Sequence, residues 1–251
     1  MLPPGLVFPS LSDPYATAFR ECMGHVFRTY QVVGVLATGT VIRGTGDARS
    51  DLDIHVLHLD SFRERVQLWF NGVPCEIFVN PPHRIPAYFT EDREDRRPVS
   101  QHMFATGIIA FDPQGEIEKL VDIARSDLAN HPTAPSEFTS TLLRYSVATE
   151  FEDVLDLAER DTPSASILLG AVVRRLCECR IAHSPGWAPR AKDLVNRLRD
   201  IDATAADLAI GSAADLPFED RLAAARKLCL HVTQSEGFFE WTSPREFVES
   251  P

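Results

Sequence analysis

The chain has 251 residues, 44% hydrophobic and 24% charged, a balance that excludes a disordered chain with too little apolar surface to offset its ordering entropy. It carries no apolar run of the ~18 residues a membrane span needs. Asp and Glu outnumber Lys and Arg 36 to 25, and both halves are acidic: 12 basic against 17 acidic residues before residue 130, and 13 against 19 after it. Neither half has the basic footprint of a nucleic-acid binder, so the expected partner is a small cation or a nucleotide neutralised by a metal.

The opening MLPPGLVFPSLSDPY lacks the basic flank and apolar core of a signal peptide, and the expected location is the cytoplasm. Asp13-Pro14 predicts a helix start with Pro in first position, followed by Tyr15, Phe19, Cys22, Met23, Val26 and Phe27 at helical spacing. Val32–Ala37 is a continuous apolar run that predicts a buried strand, and a polar, glycine-containing stretch follows from Gly39 to Ser50. A second strand is expected over Asp51–Leu59 and a third over Val73–Val79, entered through the Asn71-Gly72 turn. Residues 82–106, rich in charge and proline, predict irregular structure with short helical pieces; a fourth strand over Gly107–Phe111 and a helix over Glu116–Leu128 follow.

Residues 130–135, NHPTAP, predict a linker, and beyond it the apolar period is helical throughout. Val147, Phe151, Val154, Leu155 and Ala158 form one stripe; Thr162-Pro163 predicts a cap and first residue for a helix to about Ala182. Further helices are expected at 190–201, 203–210 and 217–235. The expected architecture is an α+β domain (residues 1–130, a mixed sheet with flanking helices) followed by an all-α helical bundle domain (residues 136–240). The five cysteines, odd in number and scattered, argue against a disulfide framework. Cys177 and Cys179 point in different directions on a helix and make no zinc knuckle.

Asp51 and Asp53 stand two apart in a strand, so both carboxylates project from one face. Repulsion and desolvation disfavour such a pair unless a divalent cation lies between them. Glu76, flanked by apolar residues in the third strand, joins the pair if the two strands are neighbours. Hard oxygen ligands of this kind suit magnesium or manganese, and two such ions would stabilise attacking and leaving oxygens in an in-line phosphoryl transfer. The plainer alternative is a solvent-facing strand edge with Glu76 unrelated. Gly39-Thr40, where a buried strand ends, can bring backbone N–H groups close to a phosphate, and Arg43 follows one turn later. The spacing Gly39 to Gly44 is not a P-loop, because Thr45-Gly46 stands where Lys-Ser/Thr is required.

Gly39-Thr40, Arg43-Gly44, Ser50-Asp51-Leu52-Asp53 and Glu76 together resemble the signature of the DNA polymerase beta-like nucleotidyltransferase superfamily. The likeness extends to the bacterial branch of aminoglycoside nucleotidyltransferases, which pair this domain with a C-terminal helical bundle that completes the substrate cleft. Thr40 replaces the commoner Ser and keeps its hydroxyl; Glu76 replaces the more frequent Asp. The resemblance implies that Asp51 and Asp53 hold two magnesium ions, with Glu76 as third ligand or as general base. It implies that Gly39 and Thr40 cradle a triphosphate supported by Ser50, that Arg43 touches phosphate or caps the site, and that Lys192 reaches the triphosphate from the bundle. The implied reaction moves AMP from ATP to a hydroxyl of a small, cationic acceptor such as an aminoglycoside, releasing pyrophosphate; a homodimer is also compatible with it.

Other features favour structural explanations. His55 shares the strand face of the aspartates, but a histidine there is more often packing. Arg96, Arg97 and His102 fit plain surface better than a lid. The acidic run Glu150, Glu152, Asp153, Asp156 and Glu159 fits a solvated face better than an attractor for a polycation. Two further functional alternatives are a protein-modifying nucleotidyltransferase and a nucleotide-binding regulatory module without turnover. An intact set of three carboxylates disfavours the latter.

Overall fold

The computed structural model describes residues 2–245. Helix α1 (Tyr15–Thr29) buries Ala18, Phe19, Cys22, Met23 and Val26, the stripe expected from the sequence. Asp13 fastens its first turn by accepting from the backbone N–H and the hydroxyl of Thr17 at 3.2 and 2.7 Å, and Pro14 sits just before the helix rather than as its first residue. The chain then runs through β1 (Val32–Thr38), the single turn α2 (Gly39–Ile42), β2 (Leu52–His58), β3 (Glu64–Phe70) and β4 (Val73–Asn80). Helices α3 (Ile85–Glu94) and α4 (Val99–Thr106), strand β5 (Ile108–Phe111) and helix α5 (Glu116–Ala129) follow. The stretch 82–106, expected to be largely irregular, is therefore mostly helical.

The described strands form one mixed sheet in the order β3-β4-β2-β1-β5. Strands β1 and β2 are antiparallel, β2 and β4 parallel, β3 and β4 antiparallel, and β1 and β5 antiparallel. Strand β3 is absent from the sequence expectation. Asn71-Gly72 does not simply lead into a strand; it closes a hairpin between β3 and β4, with φ of 45° at Asn71 and 75° at Gly72. Positive φ at both central residues is what a type I′ two-residue hairpin turn requires.

One sheet face packs on α1 through Leu52, Ile54, Val56, Cys75, Ile77 and Val79. The opposite face packs through Val33, Leu36 and Leu57 against Ile85, Phe89, Phe104, Ile117 and Leu120 of α3, α4 and α5. That cover reaches His55, whose ring lies 4.7 Å from Phe78 and 4.9 Å from Phe104 between centroids. Asp53 and Glu76, one alternate position earlier on their strands, are only half buried. The site therefore occupies a sheet face whose helical cover stops one residue row short of it.

A second unit begins at Pro132. It contains α6 (Glu137–Ala158), α7 (Thr162–Ala182), α8 (Leu194–Ile201), α9 (Ala203–Ala213) and α10 (Phe218–Thr233). Helix α7 packs against each of the other four, and Phe151, Leu169, Leu176, Leu198, Leu222 and Leu228 fill the core between them. Ser136 caps α6. The cap of α7 is Asp161, which accepts from the Ser164 N–H at 3.1 Å, and not Thr162, which is already helical. A carboxylate one residue earlier competes successfully for the same orphan N–H groups. All five cysteines are free and buried.

Candidate metal-assisted active site

Two neighbouring strands bring the expected carboxylates together. In the parallel β2–β4 ladder Asp53 stands opposite Glu76, and Asp51 immediately precedes β2 on the same face as Asp53. One ligand atom of each of Asp51, Asp53 and Glu76 lies within 4.8 Å of the others. Burial is the first cause pushing the Asp53 carboxyl up to about 7, with Asp51 and Glu76 adding to it while Arg43 and Arg65 pull it back. The cluster has more negative charge than its own cations balance, and a divalent ion on three hard oxygen donors is the natural complement.

The neighbouring turn is shaped around Asp53. In the β1–β2 ladder Thr38 stands opposite Asp53, and Gly39 follows with φ of +93°. A Cβ on Gly39 would lie 2.4 Å from Asp53 Oδ2. Glycine is thus required twice over, by backbone conformation and by the approach of the carboxylate. The loop after Gly39 is held at several points. Thr40 Oγ1 and the backbone N–H of Asp47 donate to Ser50 Oγ at 3.2 and 2.8 Å, and Thr45 N–H donates to the Thr40 carbonyl at 2.9 Å. Tyr15 of α1 donates its hydroxyl to the carbonyls of Asp47 and Ser50 at 3.1 and 3.2 Å. Gly39, Thr40 and Ser50 are therefore one structure, and Tyr15 is a support that the sequence did not single out.

Strand β3 adds two residues that the sequence reading missed. Gln67 stands opposite Glu76 and donates its amide to Glu76 Oε1 at 3.0 Å. Arg65 pairs with the same oxygen and lies over the Phe78 ring, 5.1 Å from its centroid. Period-two alternation in Glu64–Phe70 next to Asn71-Gly72 was the available signal.

Other expected positions fall elsewhere. Arg43 ends α2, close enough to act on the Asp53 charge. Lys192 is exposed in a short 3-10 turn, Ala191–Asp193, of the helical unit. His55 is buried, with neither ring nitrogen hydrogen-bonded, and burial pushes it down to about 3; it is a packed neutral ring between Phe78 and Phe104. Arg96 and Arg97 join α3 to α4, and His102 lies on α4. Among the described residues, no helix is long and apolar enough to cross a membrane.

No protein family profile matches the sequence, and no curated protein matches it. Among solved structures, the chain is similar to the crystal structure of a nucleotidyltransferase-like protein from Exiguobacterium sibiricum 255-15. The TM-score is 0.51 at 14% identity, covering 86% of this chain and 73% of that one. A mixed sheet carrying its carboxylates beside a glycine turn, followed by a helical region, is thus a nucleotidyltransferase-like fold.

Proposed function

We propose that this chain is a metal-dependent nucleotidyltransferase that moves AMP from ATP to a hydroxyl of a small, cationic acceptor such as an aminoglycoside. The convergence of Asp51, Asp53 and Glu76 within 4.8 Å carries this reading, and the resemblance of the surrounding motifs supports it. Asp51 and Asp53 would hold magnesium, with Glu76 at their edge. Bound there, the metal would neutralise phosphate charge and polarise the reacting phosphorus.

The chain's own residues account for the remaining roles. The Gly39 turn, whose missing side chain lets Asp53 approach, would offer backbone N–H groups to a phosphate, and the Thr40–Ser50 hydrogen bond holds the loop after it. Arg43, whose charge acts on Asp53, supplies positive charge toward the triphosphate. Arg65 and Gln67 both occupy Glu76 Oε1, which leaves Oε2 to accept the acceptor's hydroxyl proton. The acceptor oxygen then bonds to the α-phosphorus, the bond from that phosphorus to the bridging oxygen breaks, and pyrophosphate leaves in line.

The test is pyrophosphate release from Mg-ATP, with and without a panel of aminoglycosides, for the native chain and for Asp53→Ala. Release that needs both an aminoglycoside and Asp53 is the expected result. Release that persists in Asp53→Ala overturns the metal-centred chemistry, and no release with any aminoglycoside overturns the acceptor class.

A further inference from the structure

The uncovered part of the sheet face continues beyond Glu76 onto β3. Alternate residues of a strand share a face, and the β3–β4 ladder pairs Arg65 with Phe78, Gln67 with Glu76 and Trp69 with Pro74. Arg65, Gln67 and Trp69 therefore lie on the carboxylate side, while Val66 and Phe70 pack into the core on the α1 side. Trp69 is 72% exposed, an unusual place to leave an indole, whose apolar body gains free energy when covered.

We infer that Trp69 and Gln67 form the acceptor subsite of the transfer reaction, Trp69 stacking on the apolar face of a sugar ring whose hydroxyl meets Glu76. The inference rests on the transfer reading above and adds where the acceptor sits and what recognises it. Strand order supplies the direction. The phosphate-side turn follows β1, on one flank of β2, whereas β4 and then β3 lie on the other. In an in-line displacement the attacking oxygen enters opposite the departing pyrophosphate. With the triphosphate on the β1 flank, the acceptor enters across β4 and β3. Trp69 is the diagonal neighbour of Glu76, and such pairs stand about 7–8 Å apart, a gap that one six-membered ring with its hydroxyls spans. Gln67 lies between them, and the N–H of its amide not used on Glu76, together with its carbonyl, suits the vicinal hydroxyl and amino groups of an amino sugar. A flat apolar surface beside an amide and a carboxylate fits a sugar, whose ring is apolar on one side and polar at its rim.

The experiment compares the native chain with Trp69→Ala and Trp69→Phe. Acceptor KM is read from pyrophosphate release, Mg-ATP Kd from calorimetry, and acceptor binding from the tryptophan emission of native chain minus Trp69→Phe, with kanamycin and streptomycin as probes. The expected result is an acceptor KM raised about tenfold or more in Trp69→Ala, largely restored in Trp69→Phe, with Mg-ATP Kd within about twofold of native. An unchanged KM overturns the subsite, and so does a Kd for Mg-ATP that shifts tenfold instead, which would make Trp69 a nucleotide contact. If neither probe supports release, the proposed reaction fails for that acceptor class while emission still judges the subsite: a Trp69-dependent change on adding a probe upholds it, and no change with either overturns it. Trp69 is exposed, so a preserved thermal midpoint in both variants is expected and separates binding loss from unfolding.

Discussion

Two carboxylates, one in each unit, solve burial in opposite ways. Asp202, at the junction of α8 and α9, is largely buried, its side chain 12% exposed. It accepts from the Ala205 N–H at 3.0 Å, from Arg180 Nε at 2.7 Å and from His231 Nε2 at 2.9 Å. Burial alone would raise it, but these donors hold it down at about 2. Asp53 is surrounded by two more carboxylates and is pushed up to about 7. A carboxylate given its own cations is part of the scaffold; one left among its own kind is suited to a cation from outside.

Substitution at the two sites should therefore separate chemistry from stability. Asp53→Ala should lower transfer by at least about 10³-fold while its thermal midpoint stays level or rises, since a repulsive charge is gone; pyrophosphate release and a melting curve measure the two. Asp202→Ala should do the reverse, losing a cap and two charged hydrogen bonds at a cost of about 2–3 kcal/mol in urea unfolding, with Mn2+ affinity unchanged by calorimetry. A smaller effect sharpens the contrast at the site itself. Gly39→Ala should cost about 1–2 kcal/mol for its left-handed backbone and displace Asp53, so that metal affinity falls in the same variant.

His55 represents a third solution, a buried titratable group with no partner. Its folded-state value of about 3 lies below its ordinary 6.5, so the unfolded chain binds the proton first as pH falls. The stability it allows is complete above about pH 6.5 and is lost on the way down toward 3, by at most about 1.4 kcal/mol per pH unit. His55→Phe should flatten that slope and add about 1 kcal/mol at pH 7 by removing two unsatisfied nitrogens. A slope unchanged by the substitution would assign it to other groups.

What the sequence made legible follows from how strongly each signal is forced. Asp-x-Asp in a strand fixes a shared face through geometry alone, and the apolar run Val32–Ala37 admits little but a central strand. Strand β3 was missed because an edge strand has half its surface in water: Glu64, Arg65, Gln67 and Trp69 are all exposed, so no apolar run marks them. Arg65 and Gln67 were lost with it, since their contact with Glu76 exists only once the hairpin is drawn. The α7 cap moved from Thr162 to Asp161 because two capping residues stand side by side, and only backbone geometry chooses between them. Tyr15 looked like one more apolar position on α1; its hydroxyl serves a loop more than thirty residues away.

The alternation of β4 has a mutational corollary. Cys75, Ile77 and Val79 lie on the α1 side while Pro74, Glu76 and Phe78 lie on the other, so the carboxylate side and the α1 side are interleaved letter by letter. Deleting one residue within the strand would send Glu76 into the interior and bring apolar neighbours to the surface. A one-residue deletion there should therefore cost the fold and the carboxylate cluster together, whereas a substitution at Glu76 can change the cluster alone.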